Sequence, residues 1–298
     1  MPNPADRDCL VTGASGFLGR EVCRRFRPEY RVTGLGFRSA GEVTARVDLR
    51  DPEAVGRTIR ERAPDVVIHC AAYREPDFCE EHPAEARRLN VLPVRSLCES
   101  LPAASTLALI STDYVFDGRC PPYSEDAKRN PVNVYGQTKM EAEDLVLRRP
   151  RSLVVRIPVL VGAGNELASS GFLGQMIQAV LARRPARVDN VLVRFPTWTR
   201  DVADALLFLL RREAEGVFHV SGPLGGTRYA LTLEVARILG ADAGHLSPSE
   251  TILPRKAARP PNSALATEKI RAAGFAGFAS FSSLVWHVCE SVGIAPAG

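Results

Sequence analysis

The chain of 298 residues has no long apolar run, no metal-binding motif and no concentration of charge. No uninterrupted apolar stretch approaches the roughly 20 residues that span a bilayer, and the first residues lack the pattern of a signal peptide. The seven scattered cysteines form no Cys-x-x-Cys pair and the five histidines no paired motif, so we expect no metal site. The net charge is only +4. These absences favour a cytoplasmic protein that binds neither membrane nor nucleic acid.

What is present is strand–helix alternation. Apolar runs predict strands at 9–12, 31–36, 66–70, 107–111 and 153–158, and helical patterns lie near 18–27, 51–62, 84–100 and 133–148. The second half is less regular, with helices expected near 171–184, 201–212 and 231–239 and a strand at 216–220. Near-continuous apolar strands that alternate with helices predict an α/β fold. We expect a doubly wound parallel sheet (Rossmann) with a smaller mixed substrate-binding lobe.

A glycine-rich turn, GASGFLG at 13–19, follows the first predicted strand and opens the first helix. Backbone N–H groups in such a turn, together with the helix N-terminus, can bind a pyrophosphate. The spacing G-x-x-G-x-x-G differs from the common G-x-G-x-x-G fingerprint, and a purely structural turn is the alternative. The predicted cofactor contacts here are Gly13, Ser15, Gly16, Phe17, Leu18 and Gly19.

The end of the second strand indicates which dinucleotide binds. An NAD-binding chain usually has Asp or Glu there to hold the ribose 2′-OH, whereas this chain has Phe37, Arg38 and Ser39. An arginine can clamp a 2′-phosphate and stack on adenine. We therefore expect NADP(H), with Asp48 and Leu49 near the adenine edge.

Small residues after the strand at 66–70 would let the cofactor approach the backbone, and Ile157 ends a neighbouring strand. The further predicted cofactor contacts are Cys70, Ala71, Ala72 and Ile157. His69 is interpreted as a packed, hydrogen-bonded histidine and Asn90 as a polar anchor between a helix and the site. On this basis residues 1–160 and 191–221 form the NADP-binding domain, and 161–190 with 222–298 form the substrate lobe.

Tyr135 and Lys139 are four positions apart, which puts the phenol and the ammonium on one face of a helix. A cation beside a tyrosine favours the phenolate and lowers the tyrosine pKa. The same lysine can also hydrogen-bond a bound ribose. Thr112 ends a strand, where its hydroxyl could bind a carbonyl as negative charge grows on the oxygen. Asp113 and Tyr114 would face the substrate. Tyr-x-x-x-Lys alone arises by chance in many helices, so the glycine turn and the strand-end motif carry the interpretation.

Three segments resemble the extended short-chain dehydrogenase/reductase superfamily, and within it the dTDP-4-dehydrorhamnose reductase branch. They are STDYVFDG at 111–118, NVYGQTK at 133–139 and RPPNSAL at 259–265. That branch also contains the regulatory beta subunit of methionine adenosyltransferase. The resemblance implies Thr112, Tyr135 and Lys139 as a catalytic trio, delivery of hydride from a nicotinamide, and protonation of the new alkoxide by Tyr135.

We expect the substrate to be a small-molecule carbonyl, and a nucleotide-linked 4-keto-6-deoxy sugar is the substrate class that the resemblance implies. Arginines suit a phosphorylated substrate, so Arg194, Thr197 and Arg259 are expected to line the substrate lobe. Reductases of the branch tend to have an aromatic residue where this chain reads RIPVLVG at 156–162. The segments GFR at 36–38 and RFPT at 194–197 resemble the regulatory-subunit side.

Several alternatives therefore stay open. They are an NADP-binding regulatory subunit of a methionine adenosyltransferase and a reductase of another carbonyl or imine in a biosynthetic pathway. An epimerase or dehydratase that recycles its cofactor is a further alternative. Dehydration is disfavoured, because dehydratases usually place an Asp-Glu pair after the threonine and here Asp113 and Tyr114 follow it. A homodimer is common in the superfamily and is left open.

Overall fold

The computed structural model describes residues 7–37, 41–164, 166–251 and 254–294. Within these ranges the strands are β1 (Asp8–Thr12), β2 (Arg31–Gly36), β3 (Ala45–Arg46), β4 (Val66–His69), β5 (Thr106–Thr112), β6 (Ser152–Ile157), β7 (Leu160–Val161), β8 (Ala186–Asp189), β9 (Val193–Arg194), β10 (Thr197–Trp198), β11 (Gly216–His219), β12 (Gly226–Thr227) and β13 (Leu246–Ser249). The helices are α1 (Phe17–Phe26), α2 (Pro52–Arg62), α3 (Pro76–Glu81), α4 (Pro83–Asn90), α5 (Leu92–Ser100), α6 (Val134–Val146), α7 (Gly171–Ala182), α8 (Thr199–Arg211), α9 (Arg228–Leu239), α10 (Glu268–Ala272) and α11 (Phe281–Ser291).

Seven of these strands form one parallel sheet in the order β11-β6-β5-β4-β1-β2-β3. Every residue of β4, β5 and β6 is buried, as expected for strands with helices on both faces. The strand order reverses beside β1, which pairs with β2 on one side and with β4 on the other. Ligands of such sheets bind at the carboxyl ends of the strands near this reversal. The prediction of a doubly wound parallel sheet is confirmed.

Two apolar cores cover the two faces of the sheet. One core packs α1 and α8 on the sheet through residues such as Phe26 and Leu206. The other packs α2, α5 and α6 on the opposite face through residues such as Ile59, Leu97 and Ala142. Helix α6 therefore lies on the sheet with its N-terminal turn close to the carboxyl ends of the strands, which brings its first residues to the site.

A third core joins α7, α9 and α11 with the short β8–β13 pair, and Met176, Val235 and Val285 are fully buried in it. Most of its residues fall in the segments predicted to form the substrate lobe. Ile270 and Phe275, which the sequence interpretation assigned to the same lobe, pack with the sheet core instead. The division into two domains stays a prediction.

The helix expected at 84–100 is two helices, α4 and α5, which meet at Val91. Pro93 lies in the first turn of α5. Because a proline has no N–H and its ring crowds the preceding turn, a single continuous helix through this point is disfavoured. The glycine- and serine-containing segment before α7 also holds β7 and a 3-10 turn at Leu167–Ser170, neither of which was predicted.

None of the helices within the described ranges combines the length and the apolar character that a membrane crossing requires.

Helix α2 offers a direct test of local stability. The Asp51 carboxylate accepts hydrogen bonds from the N–H groups of Glu53 at 3.0 Å and Ala54 at 3.2 Å. We expect Asp51→Ala to lower the free energy of unfolding by about 1 kcal/mol, because these two N–H groups lose their cap. Urea unfolding followed by circular dichroism measures the change. Glu61→Ala, at an exposed position of the same helix, is the control and should change the value by less than about 0.5 kcal/mol; equal effects would contradict the cap.

Candidate functional site

The candidate site lies where β1, β4, β5 and β6 end. Thr12 of β1 pairs with His69 of β4, and Thr112 of β5 pairs with Ile157 of β6. The strand ends that the sequence singled out are therefore neighbours in the sheet. Each loop that follows them carries residues of the predicted site.

The glycine turn between β1 and α1 is built around Gly13, whose φ of +68° lies in the left-handed region. A Cβ at this position would come within 2.9 Å of the Ala71 nitrogen, so only glycine lets the turn contact the loop after β4. Ser15 and Gly16 are exposed, and among the described residues no side chain caps the N-terminus of α1. The uncapped helix start and its exposed turn form a suitable cradle for an anionic group.

The end of β2 presents an aromatic platform. Phe37 is 56% exposed, and the Arg50 guanidinium lies 5.0 Å from the centre of its ring. Asp48 pairs with Arg50 at 2.8 Å, and Leu49 is buried in the core. Their position near the adenine edge stays a prediction. Arg38 and Ser39, the predicted ligands of a 2′-phosphate, lie outside the described residues. Arg50 is a residue that the sequence interpretation missed.

His69 is a packed histidine, as the sequence interpretation had it. Its Nδ1 lies 2.9 Å from the Thr12 hydroxyl, which also accepts a hydrogen bond from the Ala71 N–H. Burial lowers the pKa of His69 to about 3, with a smaller effect from the nearby Lys139 ammonium. The ring is therefore neutral. Its Nε2 is a buried atom without a hydrogen-bond partner among the described residues.

The loop after β4 continues with Cys70, Ala71 and Ala72, all partly exposed beside the glycine turn. Burial raises the pKa of the Cys70 thiol, which therefore stays protonated. Ile157 is 6% exposed and packs in the sheet core. Cys70, Ala71 and Ala72 thus border the glycine turn, whereas Ile157 is buried in the core and pairs with Thr112.

Helix α6 is fixed at its start by two local features. The Asn133 side chain caps the helix by accepting a hydrogen bond from the Gly136 N–H at 2.8 Å. A Cβ on Gly136 would lie 2.2 Å from the Tyr114 carbonyl oxygen. Glycine at this position therefore lets α6 close against the 3-10 turn Asp113–Val115 that follows β5.

This close approach brings Tyr135 to Thr112 and Tyr114. The Tyr135 and Tyr114 rings lie 5.9 Å apart at an angle of 70°. Burial raises the pKa of Tyr135, and a hydrogen bond with the Thr112 side chain opposes this only in part. The expectation that Lys139 lowers the Tyr135 pKa is therefore wrong for this structure, because desolvation of the phenolate outweighs the attractions around it.

Lys139 lies one turn after Tyr135 and is only 3% exposed. Burial lowers its pKa to about 8, although the Glu143 carboxylate acts in the opposite direction. The ammonium form thus prevails at neutral pH but is easily lost above it.

Asn90 connects α4 to the loop after β4 and to α6. Its side chain accepts a hydrogen bond from the Tyr73 N–H at 2.8 Å and donates to the Tyr73 carbonyl at 3.1 Å and the Thr138 hydroxyl at 3.0 Å. These contacts match the interpretation of Asn90 as a polar anchor.

Thr112 and Asp113 form a linked pair at the end of β5. The Thr112 hydroxyl donates to Asp113 Oδ1 at 3.1 Å and accepts from the Tyr114 N–H at 3.2 Å. Asp113 is 4% exposed, accepts a 2.5 Å hydrogen bond from Ser263, and has its pKa raised by burial. Contrary to the expectation that Asp113 faces the substrate, its carboxylate holds Thr112 and the 259–265 segment in place.

The predicted substrate residues have different surroundings. Arg194 donates to the carbonyls of Val193 at 2.6 Å and Pro260 at 3.1 Å and reaches the Tyr114 hydroxyl at 3.4 Å. Arg259 pairs with Asp77 at 2.8 Å.

Thr197 is not placed at this surface. It is fully buried, and its hydroxyl donates to the Phe195 carbonyl and accepts from the Gly222 N–H.

Glu143 and Arg156 are further residues that the sequence interpretation missed. Glu143 is fully buried one turn after Lys139, and its carboxylate accepts from Ser111 and Arg156. The available signal was an acidic residue four positions after Lys139 on the same helix face. Its partners lie on other strands, so spacing alone could not identify them.

A parallel sheet with this glycine turn, a strand-end threonine and a Tyr-x-x-x-Lys helix defines the extended short-chain dehydrogenase/reductase class. Within that class the chain belongs to the family described as the RmlD substrate binding domain, whose model matches residues 7–293. The resemblance stated from the sequence is confirmed.

Relatives in this family carry two kinds of name. The chain is 37% identical to dTDP-4-dehydrorhamnose reductase of Streptomyces griseus, over 92% of this chain and 90% of that protein. It is also 37% identical to methionine adenosyltransferase 2 subunit beta of Xenopus tropicalis, over 81% of this chain and 75% of that protein. The crystal structure of dTDP-4-dehydrorhamnose reductase from Bacillus anthracis in complex with NADP has a TM-score of 0.84 at 25% identity, covering 96% and 99% of the two chains.

The close approach of α6 to the Asp113–Val115 turn can be tested at Gly136. We expect Gly136→Ala to lower the free energy of unfolding by about 1–3 kcal/mol, because the added Cβ overlaps the Tyr114 carbonyl and α6 must move. Gln137→Ala, at the next and exposed position, should change stability by less than about 0.5 kcal/mol. Chemical denaturation of both variants measures the difference, and a Gly136→Ala variant as stable as Gln137→Ala would refute the contact.

Proposed function

We propose that the chain is an NADP(H)-dependent carbonyl reductase. The observation that carries this proposal is the closure of α6 against the end of β5. It places Tyr135 beside Thr112 and keeps Lys139 buried one turn away. Tyr135 lies beside the end of β5. Lys139 lies near His69 and Cys70 at the end of β4, beside the loop that the glycine turn contacts. Sheets of this type bind their ligands at these strand ends.

The residues around the turn fit a dinucleotide. The uncapped start of α1 and exposed Gly16 would hold the pyrophosphate, and the Phe37 ring with Arg50 would flank the adenosine. Arg38 and Ser39 remain the proposed ligands of a 2′-phosphate. The Bacillus anthracis reductase in complex with NADP supports this choice of cofactor. NADPH, when bound, supplies the hydride for the reduction.

The side chains of the site suit the reductive direction. A substrate carbonyl would accept hydrogen bonds from Thr112 and Tyr135, which stabilise the negative charge that develops on its oxygen. Because burial keeps the Tyr135 phenol protonated, this residue can donate its proton to the alkoxide formed from the carbonyl. Lys139 would bind the ribose through its ammonium group.

For the substrate we propose a nucleotide-linked 4-keto-6-deoxy sugar. Arg194 and Arg259 converge on Tyr114 next to the trio, and their charges would favour a diphosphate. The Streptomyces griseus relative supports the same class. A reductase of another carbonyl or imine is the closest alternative, because the segment 156–162 has no aromatic residue to frame a sugar.

A second candidate function is an NADP-binding regulatory subunit of a methionine adenosyltransferase. The observation that favours it is the 35–37% identity to several proteins named methionine adenosyltransferase 2 subunit beta. In that case the trio would serve cofactor binding alone. Tight NADPH binding without turnover, together with a stable complex with the synthetase, would favour this candidate over the reductase.

A cytoplasmic location is part of the proposal. All seven cysteines are free thiols in the structure, and unpaired thiols are typical of reducing compartments.

The role of Tyr135 is tested by Tyr135→Phe. We expect this variant to lose about 10²- to 10⁴-fold in turnover with a dTDP-4-keto-6-deoxy sugar, because the acid is removed, while NADPH affinity stays close to that of the wild type. Tyr229→Phe, a half-buried tyrosine of α9, is the control and should retain activity. Absorbance loss of NADPH measures turnover, and full activity of Tyr135→Phe would exclude this residue as the proton donor.

The charge of Lys139 predicts a pH dependence of cofactor binding. The ammonium is present below its pKa of about 8 and is lost as the pH rises through that value, so NADPH affinity should be constant on the acid side and fall on the alkaline side. Fluorescence titration of NADPH across this range measures the effect. Lys139→Met should bind weakly without the inflection, and Lys128→Met, at an exposed position, should behave as the wild type. A wild-type affinity without any change around pH 8 would contradict the assignment.

A further inference from the structure

Glu143 has an unusual position for a carboxylate. It is on α6, four residues after Lys139, and its side chain is completely buried. Its Oε1 accepts hydrogen bonds from Ser111 at 2.5 Å and Arg156 Nε at 2.9 Å. Its Oε2 accepts from Arg156 Nη2 at 2.8 Å and Arg129 at 3.0 Å. Four donors from three other segments therefore converge on one buried group.

These donors belong to the elements that carry the site. Ser111 directly precedes Thr112 at the end of β5, and Arg156 directly precedes Ile157 at the end of β6. Ser111 and Arg156 are also paired in the sheet register. One carboxylate on α6 thus ties the helix that carries Tyr135 and Lys139 to the strand ends that carry the rest of the site.

Glu143 is also the acidic neighbour of Lys139. Two groups at the end of β4 face Lys139, and both are uncharged at neutral pH. Burial lowers the pKa of His69 to about 3 and raises that of Cys70. Tyr135 is a protonated phenol, because burial raises its pKa. Among these neighbours Glu143 alone carries the negative charge that favours the ammonium.

The groups that donate to the Glu143 carboxylate are positive or neutral. Arg156 has a side chain only 3% exposed, and Arg129 also pairs with Asp144. His219 of β11 lies 3.3 Å from Arg156 and is neutral, since burial lowers its pKa to about 3. Without the Glu143 charge, Arg156 and Arg129 would lose their shared counter-ion, and Lys139 would lose the acidic neighbour that favours its ammonium form.

We propose that Glu143 is a positioning residue of the reduction site, which ties α6 to the ends of β5 and β6 and keeps the neighbouring Lys139 charged. The proposal deepens the function proposed above and rests on it, because a charged Lys139 matters there for binding the cofactor. Glu143 itself touches neither cofactor nor substrate in this role. Its influence reaches the reaction through Lys139 and Thr112.

The charge of Lys139 can be observed directly. The chain has four lysines, Lys128, Lys139, Lys256 and Lys269, so protein labelled with ¹³C at the lysine ε-carbon gives a simple NMR spectrum. Lys139→Met identifies the Lys139 resonance, and a pH titration of the full chain gives its midpoint. This readout requires no substrate, and a purely structural role of Glu143 would leave the midpoint unchanged.

Glu143→Gln should move the Lys139 midpoint down by about one pH unit or more. Glu141→Gln is the control, since Glu141 is on the same helix but pairs with the exposed Arg87 at the surface, and it should leave the midpoint in place. A folded Glu143→Gln variant with the wild-type midpoint would overturn the proposal, even if its activity were low.

Arg129→Gln keeps the proposal testable if Glu143→Gln does not fold, because the Arg129 side chain is 24% exposed and easier to replace. Because Arg129 pairs with Glu143, its removal leaves the Glu143 charge less neutralised and should move the Lys139 midpoint up. An unchanged or lower midpoint would count against the proposal. Turnover with NADPH, measured on the same proteins, distinguishes failure of this proposal from failure of the reductase proposal. A midpoint that shifts as expected in a protein without turnover supports the role of Glu143 and refutes the reductase alone.

Discussion

The contact between α6 and the carboxyl end of β5 is the interaction on which the proposed site depends. Gly136 lets the helix backbone approach the Tyr114 carbonyl, and Asn133 caps the helix at that point. From the other side, the buried Glu143 carboxylate binds Ser111 and Arg156. Contacts in the first turn of α6 and at Glu143, two turns later, thereby fix the helix against the sheet. Tyr135 can contact Thr112 only because this packing is so close.

Burial then sets the protonation of each group in the site. It raises the pKa of Tyr135 and Asp113 and lowers the pKa of Lys139 to about 8 and of His69 to about 3. At neutral pH the site thus contains a protonated phenol, a neutral imidazole and a lysine that is only marginally charged. A protonated phenol is suited to give a proton to an alkoxide, which agrees with reduction of a carbonyl.

The fold was largely predictable because its signals are local. The apolar strands of the first half and the glycine turn follow from short runs of sequence, and the strand at 31–36 has the bounds observed for β2. The split at Val91 was missed, although Pro93 was a visible signal for it. The short strands β7 to β10 have two to four residues, too few to show a period.

The site was predictable in part. The approach of Tyr135 to Thr112 followed from motif order, since parallel strands end at one edge of the sheet. Single-sequence patterns contain no signal for contacts between segments that are distant in sequence. Such contacts determine the burial of Thr197, the Arg259–Asp77 pair and the Glu143–Arg156 pair. The predicted sign of the Tyr135 pKa shift was wrong, because the Tyr-x-x-x-Lys spacing reveals the nearby Lys139 cation but not how deeply Tyr135 is buried.

The central claim is that Tyr135, Thr112 and Lys139 form a site of reduction. The most direct measurement is to incubate the protein with NADPH deuterated at the transferred position and a dTDP-4-keto-6-deoxy sugar, and to analyse the sugar by mass spectrometry. The account predicts a reduced sugar that carries one deuterium at its former carbonyl carbon. Unchanged sugar recovered from a protein that binds NADPH tightly would contradict the proposed substrate. If other carbonyls were also returned unreduced, the reductase itself would be refuted.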